Sequence, residues 1–376
     1  MNDSLTALTA DLAGLAARDR LRALAPRRGV DFASNDYLGF AEGPELRAAA
    51  AEALARGVAV GSGGSRLLRG NHPEHEALEA EAAAFFGGEA ALFLPTGFTA
   101  NSALLSTMPQ RGDRIFADAL IHASCHEGLR LTRASHELVA HNDAAAFDRA
   151  IMAWRTSGAI GTAWIVVESL YSMDGDCAPL ADLADVAARH EVILVVDEAH
   201  ATGVFGPGGR GLVAKLGSRG ANVVTLHTLG KGLGCEGALL VGPKVMREFL
   251  VNRARGFIFS TAPSPLAAAI ARTALRLCEA ADDARAELMA RITLAEELLA
   301  PLGATCHGSP IIPLVLGADA RAMAVAKACQ ATGFDIRGIR PPTVPEGSAR
   351  LRIVITRNAG EADIRALAGT LKAALA

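Results

Sequence analysis

Lysine is scarce in this chain of 376 residues: five occur, at 215, 231, 244, 327 and 372, against 32 arginines. Each lysine is therefore worth locating. The six cysteines, at 125, 177, 235, 278, 306 and 329, form no CxxC pair. That excludes a zinc ribbon and favours free thiols in a reducing cytoplasm over a disulfide scaffold. No apolar run reaches the ~18 uncharged residues a membrane span needs. Asp3, Asp11, Arg18, Asp19 and Arg20 interrupt the first twenty residues, which lack the basic start and apolar core of a secretory signal. There is no basic excess either. The net charge is −3, which argues against nucleic acid as the main partner. No repeat of ~20–50 residues and no low-complexity linker is present.

What is there is a large supply of core. Hydrophobic residues make up 51% of the chain and charged residues 20%, which excludes a disordered protein. Leucines at 5, 8, 12, 15 and 21 predict an amphipathic helix over the first ~25 residues, ended by Pro26. Helices follow over about 44–56 and 72–86, separated by the Gly-rich stretch GVAVGSGGSRLLRG (57–70). Short β-branched or apolar runs then alternate with helical segments: ALFL (91–94), RIFAD (114–118), ELVA (137–140), WIVV (164–167), VILVV (192–196), VVTL (223–226) and ALLVG (238–242). Continuous apolar runs without polar alternation predict strands buried on both faces, and strand–helix alternation predicts a mainly parallel sheet. After Pro263 and Pro265 a long Ala/Leu/Arg helix is expected, broken at AADDAR (280–285), then strands at 311–317, 335–339 and 349–356 between helices. The expected class is α/β: an N-terminal arm (1–44), a large mainly parallel-sheet domain (45–281) and a smaller C-terminal α+β domain (282–376).

Ligands of open α/β sheets bind beyond the carboxyl ends of the strands. Five groups follow such ends here: Pro95-Thr96-Gly97-Phe98, His122, Glu168 with SLYSMDGD (169–176), Asp197-Glu198-Ala199-His200, and His227-Thr228-Leu229-Gly230-Lys231. Lys231 is the only formally charged residue between Val223 and Cys235. An ammonium in an apolar, Gly-rich loop loses solvation and its pKa falls from ~10.4, which yields an amine able to attack a carbonyl. A surface lysine, or one bound to a phosphate, fits the same string. Asp197 is a strand-end carboxylate beside a histidine, suited to catalysis or to capping a helix. TGFTAN (96–101) stands at a strand-to-helix junction, where free N–H groups favour an anion, though an ordinary capped helix reads alike. GSGGSR (61–66) could bind phosphate, admit a ligand to the backbone or turn the chain.

Several activities are excluded. DEAH (197–200) occurs in helicases, but those need GxxxxGK[ST], which is missing. His136-Glu137 and His141 form HExxxH, one residue longer than a zinc protease motif. There is no GxSxG elbow of an α/β-hydrolase.

A lysine after one strand, an Asp and a His after another and an anion site at a helix start match pyridoxal 5′-phosphate (PLP) chemistry. SNDYLGF (34–40), GSGGSRLLRGNHPEHEALE (61–79), LPTGFTANSALL (94–105), ESLYSMDGDCAPL (168–180), DEAHATGVFGPGGRG (197–211) and TLGKGLGCEGALL (228–240) occur in order. With these, from about residue 30 onward, the chain resembles the α-oxoamine synthases, PLP enzymes of fold type I. The resemblance implies these roles. Lys231 carries the cofactor and moves protons, Asp197 pairs with the ring nitrogen, His200 meets the ring hydroxyl and His122 stacks on the ring. Gly97, Phe98 and Thr228 contact the phosphate, Ser172 contacts the cofactor and Glu168 lies behind them. Asn35 and Arg352 clamp the amino-acid carboxylate, and Arg22 and Thr343 meet the acyl substrate. Ser260 and Thr261, in GFIFSTAPSP (256–265), complete the site of a second subunit, so a homodimer is expected. IRPPTVPEGSARLR (339–352) resembles the branch that joins L-alanine to a pimeloyl thioester of CoA or of a carrier protein. Glycine C-acetyltransferase, 5-aminolevulinate synthase and long-chain synthases are the sister alternatives. A catalytically idle partner subunit is the alternative of another class, and the presence of Lys231, Asp197 and His122 together argues against it. Arg69 and Glu236 depart from the family pattern, and no physical account of either emerges.

Overall fold

The computed structural model describes residues 5–217 and 222–376. Its contacts divide the chain into two units: one made of residues 1–37, 172–175 and 284–376, the other of 38–171 and 176–283.

In the first unit, β1 (Val30–Asp31) is a two-residue strand. In the second unit lie β2 (Ala90–Leu94), β3 (Arg114–Asp118), β4 (Ser135–Val139), β5 (Ala163–Glu168), β6 (Ile193–Asp197), β7 (Val223–Thr228) and β8 (Ala238–Gly242). They form one sheet in the order β2-β8-β7-β6-β5-β3-β4. The neighbours are parallel except for β8, which runs antiparallel to both β2 and β7. The reason is length. Nine residues, 229–237, join β7 to β8, too few for the dozen or more a parallel crossover requires.

The central strands have two dry faces, as their unbroken apolar runs predict. Trp164, Val166, Val195, Val224 and Leu226 pack with Ala100, Leu104 and Leu105 of the Gly97–Thr107 helix. Ile165, Val167, Leu194 and Val196 pack on the opposite face with Phe147, Ile151, Leu183 and Val186 of two other helices. Strand period two then decides where the strand ends point. Asp197 has the parity of Val195 and Thr228 that of Leu226, so both face the Gly97–Thr107 helix. His227 has the other parity and stacks on Phe86 at 3.6 Å between ring centroids.

The first unit also contains β9 (Ile311–Gly317), β10 (Phe334–Asp335), β11 (Arg337–Ile339) and β12 (Ala349–Val354). β12 lies between β11 and β9, antiparallel to both, and β1 pairs with β10 in parallel. The strand expected over 335–339 is thus split, one part for each sheet. The N-terminal helix is shorter than its leucine spacing predicts. It spans Thr6–Ala17, and Asp19 turns the chain at φ 56°. None of its residues is buried, so no packing extends it beyond its intrinsic length. The charged break at 280–285 separates two helices, Pro265–Glu279 and Asp282–Leu299. Among the described residues no helix is long and apolar enough to cross a membrane.

One partly buried cluster joins the ends of β3 and β4 to the loop after β5. His141 Nδ1 lies 2.8 Å from Asp118 Oδ1, and its Nε2 lies 2.8 Å from Asp176 Oδ2. Burial works to lower the His141 pKa, but the hydrogen bonds to the two carboxylates outweigh it and raise the value. A raised histidine pKa means stability that is complete below the unfolded value of ~6.5 and is lost as pH rises through the folded value. His141→Ala is expected to cost about 2–3 kcal/mol at pH 6, because it strands two partly or fully buried carboxylates. The cost should shrink above neutrality. Urea unfolding at pH 6 and pH 9 checks this, and equal losses at both would remove the charge from the argument.

Candidate active site

Four strand ends build the site in the second unit. After β2, Thr96 caps the Gly97–Thr107 helix, its side chain accepting the Thr99 N–H at 3.1 Å. Among the described residues the Gly97 and Phe98 N–H groups donate to no protein acceptor. They form a bare helix N-terminus of the kind that binds phosphate. Leu94 and Thr228 both pair with Ala238 from opposite sides of β8, so Gly97 comes close to Thr228. A Cβ on Gly97 would lie 2.7 Å from Thr228 Cγ2, so only glycine leaves this cradle open. Thr228 Oγ1 lies 3.4 Å from the Ala199 carbonyl.

Asp197 ends β6 and is 5% exposed. Its Oδ1 accepts the Ala199 N–H at 2.9 Å and its Oδ2 accepts Asn101 Nδ2 at 2.7 Å. Asn101 Nδ2 also donates to Ser124 Oγ at 2.9 Å, and Ser124 Oγ lies 2.8 Å from His122 Nδ1. A continuous chain of hydrogen bonds therefore joins Asp197 to His122. Burial lowers the His122 pKa, the Asp197 charge opposes this and Lys231 adds to it, so the ring is neutral at neutral pH. After β7, Lys231 Nζ lies 2.8 Å from Nε2 of the buried His200. Glu168 is buried at the end of β5, directly across from Asp197 in the strand register. Lys231, His200, Asp197, His122, Gly97, Phe98 and Thr228 thus gather where the sequence places them.

Other expected residues fall elsewhere. Ser260 and Thr261 follow the short Arg255–Ile258 helix. The next residues are tied to the Gly-rich loop, Ala262 N–H to the Gly64 carbonyl at 2.9 Å and Ser62 Oγ to the Pro263 carbonyl at 2.5 Å. Among the described residues no hydrogen bond joins Ser260 or Thr261 to Thr228 or Gly97. The Gly-rich loop itself is held by Arg66, buried against Glu79 at 2.8 Å, a structural anchor.

The first unit contains the remaining candidates. Arg352 Nε donates to the Ser172 carbonyl at 2.5 Å and Nη2 to Asn35 Oδ1 at 3.0 Å. Tyr37 also donates to Asn35 Oδ1, at 3.2 Å, and burial pushes its phenol up to about 12. Arg22 Nη2 lies 3.4 Å from Thr343 Oγ1.

Sequence reasoning missed Asn101 and Ser124. Asn101 stands four residues after Gly97 and so shares its helix face. That spacing is the signal that could have found it.

The geometry fits PLP. A buried carboxylate, a lysine, a flat neutral imidazole and an unspent helix N-terminus meet the ring nitrogen, the aldehyde, the ring face and the phosphate of that group. The comparisons agree. The model of aminotransferase class I and II matches residues 27–371. An 8-amino-7-oxononanoate synthase from Azoarcus sp. (strain BH72) is 42% identical, over 99% of this chain and 98% of its own. One from Aromatoleum aromaticum is 41% identical over 98% of both. Among solved structures, a serine palmitoyltransferase from S. paucimobilis with PLP and myriocin bound superposes with a TM-score of 0.88 at 27% identity, covering 99% of this chain and 97% of that one. An 8-amino-7-oxononanoate synthase from Francisella tularensis does so at 0.77 and 27%, over 92% and 97%.

Proposed function

We propose, from the premise that the chain belongs to the 8-amino-7-oxononanoate synthase family within the class I and II aminotransferases, a specific division of labour among its residues. The enzyme is a PLP-dependent acyltransferase of biotin biosynthesis that condenses L-alanine with a pimeloyl thioester, releasing CO2 and free thiol. The observation that carries the residue assignment is the convergence of Lys231, His200 and Asp197 on the face that also presents the bare Gly97–Phe98 helix start.

PLP supplies an aldehyde that binds amines and a ring that withdraws electrons from the amino-acid α-carbon. The chain's own residues do the rest. Lys231 Nζ holds the cofactor at rest and moves the proton at alanine Cα, with His200 setting its position. Asp197 keeps a positive charge at the ring nitrogen, and Asn101 and the Ala199 N–H hold that carboxylate in place. Neutral His122 packs on the ring face, oriented by Ser124. Gly97, Phe98 and Thr228 bind phosphate. Arg352 binds the amino-acid carboxylate, with Asn35 and the Ser172 carbonyl fixing its planar fork. Arg22 and Thr343 receive the acyl chain. A second copy of the chain supplies Ser260 and Thr261 in a homodimer, in keeping with twofold exchange between subunits.

The backbone likeness to serine palmitoyltransferase sets the rival to be tested, a long-chain acyl group with serine. Thiol release is measured with pimeloyl-, acetyl-, succinyl- and palmitoyl-CoA, each with alanine, glycine and serine. Pimeloyl-CoA with alanine is expected to lead by at least ~10-fold in kcat/KM, a difference of ~1.4 kcal/mol. Another leading pair would reassign the substrates within the same class of enzyme.

A further inference from the structure

The turn that carries His200 is tied to the strand that leads into Lys231, and a buried histidine makes one of the ties. The turn follows β6 and closes on one acceptor. The Glu198 carbonyl takes the Ala201 N–H at 3.1 Å, the Thr202 N–H at 2.8 Å and the Thr202 hydroxyl at 2.8 Å. On either side of His200 the turn is anchored to β7. Before it, the Glu198 N–H donates to the Leu226 carbonyl at 2.8 Å. After it, Thr202 Oγ1 lies 2.8 Å from His227 Nδ1. Leu226 and His227 are consecutive, so both anchors grip one short stretch of strand. The tip of the turn, His200, then meets Lys231 Nζ at 2.8 Å, four residues beyond His227.

Donor counting fixes where the hydrogen on His227 sits. Thr202 has one hydroxyl hydrogen and spends it on the Glu198 carbonyl. Toward His227 it can only accept, so Nδ1 carries the hydrogen. In the neutral ring Nε2 is then an acceptor, and it faces the Thr225 hydroxyl at 2.8 Å. Two hydroxyls and the stack on Phe86 hold the ring in one orientation. His227, Thr202 and Thr225 are all fully buried, so water does not replace a tie that is removed. The backbone adds a direct route to the lysine. A Cβ on Gly232 would lie 2.5 Å from the Thr202 carbonyl oxygen, so the residue after Lys231 rests on the residue that His227 holds.

We propose that His227 is a positioning residue: through Thr202 it sets the placement of His200 against Lys231 Nζ, and with it the readiness of the amine to take up the cofactor and to move the proton at alanine Cα. The two bonds of the ring differ in what they join. Thr225 lies on the same strand as His227, so that bond holds the ring and moves nothing relative to anything else. Thr202 lies on the neighbouring strand end, so that bond sets one half of the Lys231–His200 pair against the other. The inference rests on the reading of Lys231 given above.

The test uses this difference. Thr202→Val and Thr225→Val each remove one hydroxyl and leave one ring nitrogen of His227 unpaired in the core, so similar losses of unfolding free energy are expected in urea. Thr202→Val should lower kcat on the order of tenfold, with KM for alanine and for the acyl thioester within about twofold, whereas Thr225→Val should keep kcat within about twofold. His227→Asn places an amide nitrogen where Nδ1 stands, keeps the tie to Thr202 and should stay within about threefold. His227→Phe keeps the stack, loses both ties and should match Thr202→Val, which also carries the test if Thr202→Val does not fold. A second readout needs no turnover. The cofactor-free full chain is mixed with PLP, reduced with borohydride at timed intervals and mapped for label at Lys231. Labelling should slow about fivefold in Thr202→Val and His227→Phe, and little in Thr225→Val and His227→Asn. Equal losses in the two valine variants, or a His227→Asn protein as impaired as His227→Phe, would make His227 a core residue only and overturn the proposal. So would unchanged kcat and labelling in Thr202→Val. Wild-type label on another lysine would instead refute the reading of Lys231, and that arm is decided before any variant is made.

Discussion

Lys231→Ala is expected to yield folded protein that is colourless and at least ~1,000-fold less active, since in the proposed assignment it loses both the cofactor's covalent anchor and the group that moves the Cα proton. In the wild type, borohydride should fix the cofactor to one peptide, the one containing Lys231. The other four lysines, at 215, 244, 327 and 372, are all exposed, whereas Lys231 is half-buried with Nζ 2.8 Å from His200 Nε2. Exposed ammonium groups stay protonated at neutral pH and react poorly with aldehydes. Peptide mapping after reduction decides the matter. A reduced label on any other lysine, or a yellow and active Lys231→Ala protein, would end the assignment. Because the side chain is half-buried rather than part of the core, the substitution leaves the thermal midpoint within a few degrees of wild type, which separates lost chemistry from lost fold.

Much of this site was legible because the sheet makes it so. A strand buried on both faces has no polar residue until its end, so the first charged or hydroxylic residue after each apolar run marks the edge where ligands bind. Asp197 and Thr228 were found in that way, and period two also places them on the face of the Gly97–Thr107 helix. The near-miss motif at His136, Glu137 and His141 shows the limit of such reading. The hydrogen-bond partners of His141 are Asp118 and Asp176, 23 and 35 residues away, and no local spacing reveals them. Asn101 was hidden for the same reason. It sits inside a recognised motif, but its partner Asp197 is 96 residues distant. The leucines at 5, 8 and 12 misled the reading of the N-terminal helix, because periodicity reports an apolar face and not whether anything covers it. The antiparallel course of β8, by contrast, follows from counting the nine residues before it.

Asp197→Asn is expected to keep the fold and, if the proposed role of Asp197 holds, to lower kcat on the order of a hundredfold or more. The ring takes up electrons only while its nitrogen carries a positive charge, and a carboxylate beneath it maintains that charge where a neutral amide does not. The local geometry makes the substitution more than a change of charge. Both Asp197 oxygens accept hydrogen bonds, Oδ1 from the Ala199 N–H and Oδ2 from Asn101 Nδ2. An amide has one acceptor oxygen, so its NH2 group must face one of these donors. The Asn101 side chain can relieve the conflict by turning over. Its Oδ1 is buried with no partner among the described residues, and in the turned position it accepts from the introduced amide. It then gives up its donation to Ser124, at 2.9 Å in the native arrangement, and with it the orientation of His122. The variant should therefore bind PLP more weakly and shift the absorbance of the bound cofactor, while its free energy of unfolding in urea stays within about 1 kcal/mol of wild type. Asn101→Ala, which keeps the Asp197 charge but loosens its hold, should lower kcat less, on the order of tenfold. The order of the two effects is the test. If Asn101→Ala proved the more damaging, or if Asp197→Asn turned over near the wild-type rate, the charge at position 197 would not be what sustains the reaction.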